Sequence, residues 1–145
     1  MFNKGTIYAN ITPIVKSPVI GYRISGEDVL NILKKITKKN FSKDHSLIRV
    51  VKIYNQDDSI LDECSVAFFK SPKSFTGEDV CEIFLHGSPL IASQFEQLLK
   101  DLKVHGLRLA KNGEFSYRSV LNTKNSLKQA KAINEIIANE SFSAL

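Results

Sequence analysis

The sequence contains no apolar run approaching the roughly 20 residues that a bilayer-spanning helix needs. Its first residues, Met1-Phe2-Asn3-Lys4-Gly5, lack the charged, apolar, small-residue order of a secretory signal, so none is expected. Cysteine is scarce. Cys64 and Cys81 lie far apart, each inside an apolar run, and read as buried free thiols of a reducing compartment rather than as a disulfide. With three scattered histidines they make no zinc-ligand spacing, so no metal site is expected. Low-complexity tracts and internal repeats are missing. So are G-x-x-x-x-G-K-[ST], G-x-G-x-x-G and G-x-S-x-G. By its own sequence this chain is neither an NTPase nor a Rossmann domain.

What remains is a chain of 145 residues, long enough for one domain with a proper core. Its formal net charge of +5 is uneven. Residues 1–44 carry eight basic and three acidic side chains, 45–110 seven and nine, 111–145 five and three. The basic excess centres on Lys34-Lys35 and Lys38-Lys39, where lysines at a helix end complement the negative pole of the dipole. No aromatic or Gly-Arg interleaving marks that cluster as a nucleic-acid surface.

The hydrophobic periodicity predicts strands over 5–12 and 19–24, then a helix with Val29, Ile32, Leu33 and Ile36 on one face. Ser25 reads as its N-cap, with Asp28 three residues on. Runs at 47–54 and 60–70, separated by Asn55-Gln56-Asp57-Asp58-Ser59, predict an antiparallel hairpin. A helix over 89–103 follows, capped by Ser88, begun by Pro89 and stopped by Gly106. Residues 107–110 suit a short edge strand, 114–121 a short helix and 126–138 a last helix. Together these give an α/β (α+β) class, a mixed β-sheet covered by helices.

The stretch from Ser74 to Pro89 carries the chemistry. After Thr76-Gly77, residues 80–85 form a β-rich run that ends at the turn Gly87-Ser88-Pro89. Strand alternation places Cys81, Ile83 and Leu85 on one face and Glu82, Phe84 and His86 on the other. From the residues alone, Glu82 is either a structural carboxylate paired with a Lys or Arg, or a ligand-recognition group. His86 is either the satisfied end of a strand or an acid–base group. Glu78 and Asp79 help the turn.

Several ordered pieces then resemble one family. They are Gly21-Tyr22-Arg23-Ile24-Ser25-Gly26, Ser74-Phe75-Thr76-Gly77-Glu78-Asp79-Val80 with Glu82, His86-Gly87-x-Pro89, Gly113-Glu114-Phe115-Ser116-x-Arg118, Leu121-Asn122-x-Lys124 and Gln129-Ala130. In this order and spacing they are similar to the N-terminal domain of the MnmE/TrmE family of tRNA modification GTPases. The resemblance implies a fold like the folate-binding domain of aminomethyltransferases over residues 1–121. Residues 122–145 would begin the family's helical domain. It also implies binding of a tetrahydrofolate derivative (5-formyl- or 5,10-methylene-tetrahydrofolate), a homodimer and a cytoplasmic setting. Further partners are an FAD-dependent protein of the MnmG (GidA) kind, and tRNA through the full complex. Carried over by position, Arg23, Glu82 and Lys124 are the expected folate contacts, and no catalytic residue is assigned. GTP, magnesium and potassium belong to the family's GTPase domain; this chain, without a P-loop, is not expected to hydrolyse GTP alone. The alternative expectation is a stand-alone, non-catalytic folate-binding or dimerisation module. The sequence departs from the family pattern at Ile14-Val15-Lys16-Ser17-Pro18, where a Gly-Arg-Gly-Gly-like loop is usual, and at Ser88, usually glycine.

Overall fold

The computed structural model describes residues 5–42 and 44–122. A six-stranded mixed sheet organises them, built from β1 (Ile7–Asn10), β2 (Val19–Ser25), β3 (Leu47–Tyr54), β4 (Ile60–Phe69), β5 (Val80–His86) and β6 (Arg108–Leu109). The spatial order is β3-β4-β5-β2-β1-β6. Every neighbouring pair is antiparallel except β1 and β6, which run parallel. The helices are α1 (Val29–Thr37), α2 (Pro89–Asp101) and α3 (Glu114–Asn122). The α/β expectation holds. The expected helix over 126–138, and nearly all of the segment 122–145, lie outside the described residues.

Alternation sorts the sheet into two faces. One is apolar along its length: Tyr22 and Ile24 on β2, Val66 and Phe68 on β4, Cys81, Ile83 and Leu85 on β5. Against it lie Ile32, Leu33 and Ile36 of α1 and Phe95, Leu98 and Leu99 of α2, each at most 4% exposed. Each such side chain removed from water contributes about 1.5–3 kcal/mol. Both cysteines are free and buried in this layer. The opposite face is covered only in part. Phe115 of α3 packs there on Ile7, Ala9 and Ala110 in a separate small cluster.

Two local expectations need correction. Ser25 does not cap α1. It is the last residue of β2 and fully buried, sharing a 2.7 Å hydrogen bond with the Thr76 hydroxyl and donating to Glu78 Oε1 at 2.8 Å. Asp28 occupies the cap position, tied to Thr6: its N–H donates to the Thr6 hydroxyl at 3.0 Å, and that hydroxyl donates to Asp28 Oδ2. Nor does Gly106 stop α2. The helix ends at Asp101, and Lys103, at φ 52°, is the first residue to turn left-handed. At its other end Ser88 does accept the Ile91 N–H, with Pro89 in the first turn.

Candidate functional site

The cross-strand register sets the site. Ala67 of β4, Glu82 of β5, Arg23 of β2 and Ala9 of β1 form one row on the partly open face. The next row is Val50, Ser65, Phe84 and Gly21; Val19 pairs with His86 in the third. Glu82, Phe84 and His86 therefore share a surface, as strand alternation requires.

Two of the three expected site residues meet. Arg23 and Glu82 lie directly opposite each other; Arg23 Nε donates to Glu82 Oε2 at 2.9 Å, and a terminal guanidinium nitrogen stands 2.9 Å from the same oxygen as an ion pair. The side chains are 12% and 19% exposed. A half-desolvated pair like this is stronger than a surface ion pair, because less water competes for either charge. Two aromatic rings hold the guanidinium in place, Phe75 at 4.6 Å and Phe115 at 5.3 Å from ring centroid to Cζ. Oε1 of Glu82 has no hydrogen-bond partner among the described residues. The structural reading of Glu82, a carboxylate paired with an arginine, describes one of its oxygens. Lys124, the third expected contact, lies outside the described residues.

Around this pair the loop between β4 and β5 is tightly bound. Asp79 accepts from the Ser71 N–H at 2.9 Å and pairs with Lys70 at 3.3 Å, so the turn role expected for it holds. Glu78 does more than shape the turn, because it pairs with Arg118 at 3.0 Å. Arg118, 5% exposed, also donates to the Gly5 carbonyl at 2.7 Å and to Glu114 at 3.2 Å. Glu114, fully buried, receives a bidentate pair from Arg108 at 2.8 and 2.7 Å and the Lys111 N–H at 2.9 Å. Burial raises the Glu114 pKa, but the Arg108 and Lys111 hydrogen bonds and the two guanidinium charges outweigh it and leave the carboxyl below its ordinary value. The sequence reading assigned no role to this network. Its one local signal was the Glu114/Arg118 spacing of i, i+4.

At the far end of β5, His86 Nδ1 sits 2.7 Å from Asp62 Oδ1, and Asp62 Oδ2 accepts the His86 backbone N–H at 2.8 Å. The glycine-free loop at 14–18 rests here, its Ser17 N–H donating to the Gly87 carbonyl at 3.0 Å. The contact is so close that a Cβ on Gly87 would stand 1.6 Å from the Ser17 carbonyl oxygen. Ile14 and Val15 are exposed at 40% and 54%.

A family model described as "GTP-binding protein TrmE N-terminus" matches residues 6–124. The chain belongs to that family. Curated relatives called "tRNA modification GTPase MnmE" agree over most of its length. The protein of Helicobacter pylori (strain HPAG1) is 44% identical over 97% of this chain, and that of Malacoplasma penetrans (strain HF-2) is 43% identical over 91%. The protein of Francisella tularensis subsp. holarctica (strain OSU18) is 42% identical over 94%. In each case the match takes in 29% of the relative, so the chain spans under a third of the length of these proteins. For a TrmE N-terminus, the Ser74–Pro89 stretch is where loop and strand jointly frame the ion pair. No helix among the described residues is long and apolar enough to cross a membrane.

Proposed function

We propose that this chain serves as the folate-binding and dimerising module of a tRNA-modifying GTPase, with Glu82 as its recognition group. The observation that carries the reading is the Arg23–Glu82 pair, which presents one open carboxylate oxygen beside the exposed edge of Phe75. A reduced pterin fits that donor set: its exocyclic amino group and neighbouring ring N–H need an anionic acceptor, and its ring needs an apolar neighbour. Glu82 Oε1 takes one of these N–H groups, and Oε2 takes the other beside its bond from Arg23 Nε. Phe75, 46% exposed, is the apolar neighbour for the ring. Arg23 keeps the carboxylate ionised and aimed. Lys124 supplies a further cation for the ligand's oxygens. The folate, when bound, supplies a one-carbon unit; the protein groups named here bind and orient it.

The same reading makes the module a homodimer in the cytoplasm that works with an FAD-dependent MnmG-like protein and meets tRNA through that complex. Edge strand β3 supports the dimer. Ile48 and Val50 project side by side from its open face at 76% and 72% exposure, a liability for a lone subunit.

Thermal unfolding tests the ligand. A compound that binds only the native state stabilises it by about 2.7 kcal/mol at a hundredfold excess over Kd. 5-Formyltetrahydrofolate should raise the Tm, and Glu82→Gln should abolish the rise with little change in the unliganded melt. No shift at millimolar ligand overturns the assignment.

A further inference from the structure

His86 was singled out from the sequence, and the folate reading gives it no task. Its ring is nevertheless braced. Asp62, whose side chain is only 8% exposed, holds Nδ1 and the backbone N–H of the same residue, while the His86 side chain is 71% exposed. A carboxylate that accepts a hydrogen bond from Nδ1–H fixes the ring's orientation and turns Nε2 to the outside.

We propose that His86 receives the anionic far end of an elongated ligand whose pterin head sits on Glu82; this rests on the folate reading above. The spacing comes from the strand. Glu82, Phe84 and His86 project from one face of β5, so the first and last stand about 13 Å apart along a straight line. A pterin, an aminobenzoyl ring and a glutamate joined in series can span that distance. The direction comes from what closes the face. One row beyond the Arg23–Glu82 pair, Val80, Ser25 and Ile7 are at most 1% exposed beneath the tightly bound loop and α3. A head on Glu82 is closed off on that side, and the strand leads the tail the other way, toward His86.

The path suits the ligand's middle. On the His86 side lies a shallow depression of about 250 Å³, lined by Val19, Val50, Phe84, Ser65, Glu63 and His86. Its walls are part apolar and part polar, as an aromatic amide requires, and its end meets the tail carboxylates. The charged groups at that end are His86 and Asp62, with Lys52 of β3 and Glu63 of β4 opposite each other in register. Asp62 is engaged by His86 and Glu63 stands across from Lys52, so the outward Nε2 side of His86 is what meets a carboxylate.

Calorimetric titration of the full chain with two ligands tests this. 5-Formyltetrahydrofolate carries head and tail; 6-methyltetrahydropterin carries a head alone. His86→Ala should weaken the first about five- to tenfold and leave the second unchanged. Glu82→Gln should weaken both. An equal effect of His86→Ala on the two ligands, or none on either, overturns the tail contact. If Glu82→Gln leaves both ligands bound while His86→Ala acts selectively, the head assignment falls and the tail contact stands. Failure of the unmodified protein to bind either ligand overturns both. The unliganded Tm of His86→Ala should stay within a few degrees, since its ring is exposed.

Discussion

Glu114→Gln is the sharpest test of what fastens α3 to the sheet. The carboxylate is fully buried and accepts four hydrogen bonds, two from Arg108, one from Arg118 and one from the Lys111 N–H. Glutamine keeps the shape, but removes the charge and replaces an acceptor with a donor aimed at guanidinium N–H groups. Breaking a buried ion pair from one side costs about 3–5 kcal/mol. The low end applies, because Arg108 is 27% exposed and Arg118 retains Glu78. About 3 kcal/mol corresponds to a Tm drop of roughly 10 °C for a chain of this size. The pH dependence follows from the lowered Glu114 pKa. A carboxyl lowered on folding contributes fully above its unfolded pKa, near the ordinary glutamate value of 4.5, and loses that contribution as pH falls through the folded value. The Tm gap between parent and variant, followed by circular dichroism, should therefore be constant from pH 5 to 8 and close below about pH 4. A gap under about 3 °C at pH 7, or one that persists undiminished into strong acid, would refute this account.

Two further outcomes follow from the same coordinates. Burial, helped by Asp62 and Glu63, pushes the Cys64 thiol up to about 12, and burial beside Glu82 raises Cys81 further. Native protein at pH 8 should therefore react with Ellman's reagent only on the unfolding timescale, and both thiols at once in denaturant; one prompt equivalent in native protein contradicts this placement. The unmodified chain at tens of micromolar should scatter light as two copies, and Ile48→Lys with Val50→Lys as one. A single-copy mass for the unmodified chain counts against the dimer.

Much of the fold was legible because burial imposes period. Val29, Ile32, Leu33 and Ile36 all turned inward, as did Cys81, Ile83 and Leu85. The misreadings came from partners distant in sequence. Ser25 followed by Asp28 looked like a capping box, yet Thr6, from 22 residues away, holds the cap residue. That frees Ser25 to extend β2 and anchor the loop before β5. The Arg23–Glu82 pair spans 59 residues and exists only because β2 lies beside β5 in the sheet. Strand alternation put each on its face, but no local pattern names a strand's neighbour. The same holds for Asp62, 24 residues from the His86 it braces.

Counting acceptors separates the two carboxylates that matter most. An ionised carboxylate offers about four lone-pair sites. Glu114 uses all of them inside the protein, so its charge is structural and leaves a ligand nothing to address. Glu82 accepts one hydrogen bond from Arg23 through one oxygen, and its other oxygen has no partner among the described residues, on a face that is partly open. Burying such a group while keeping it ionised costs free energy that the single arginine offsets only in part. In the folate reading proposed above, a partner with two adjacent N–H groups supplies what the protein withholds. The oxygen without a partner, more than the presence of a glutamate, is what suits this row of the sheet to that role.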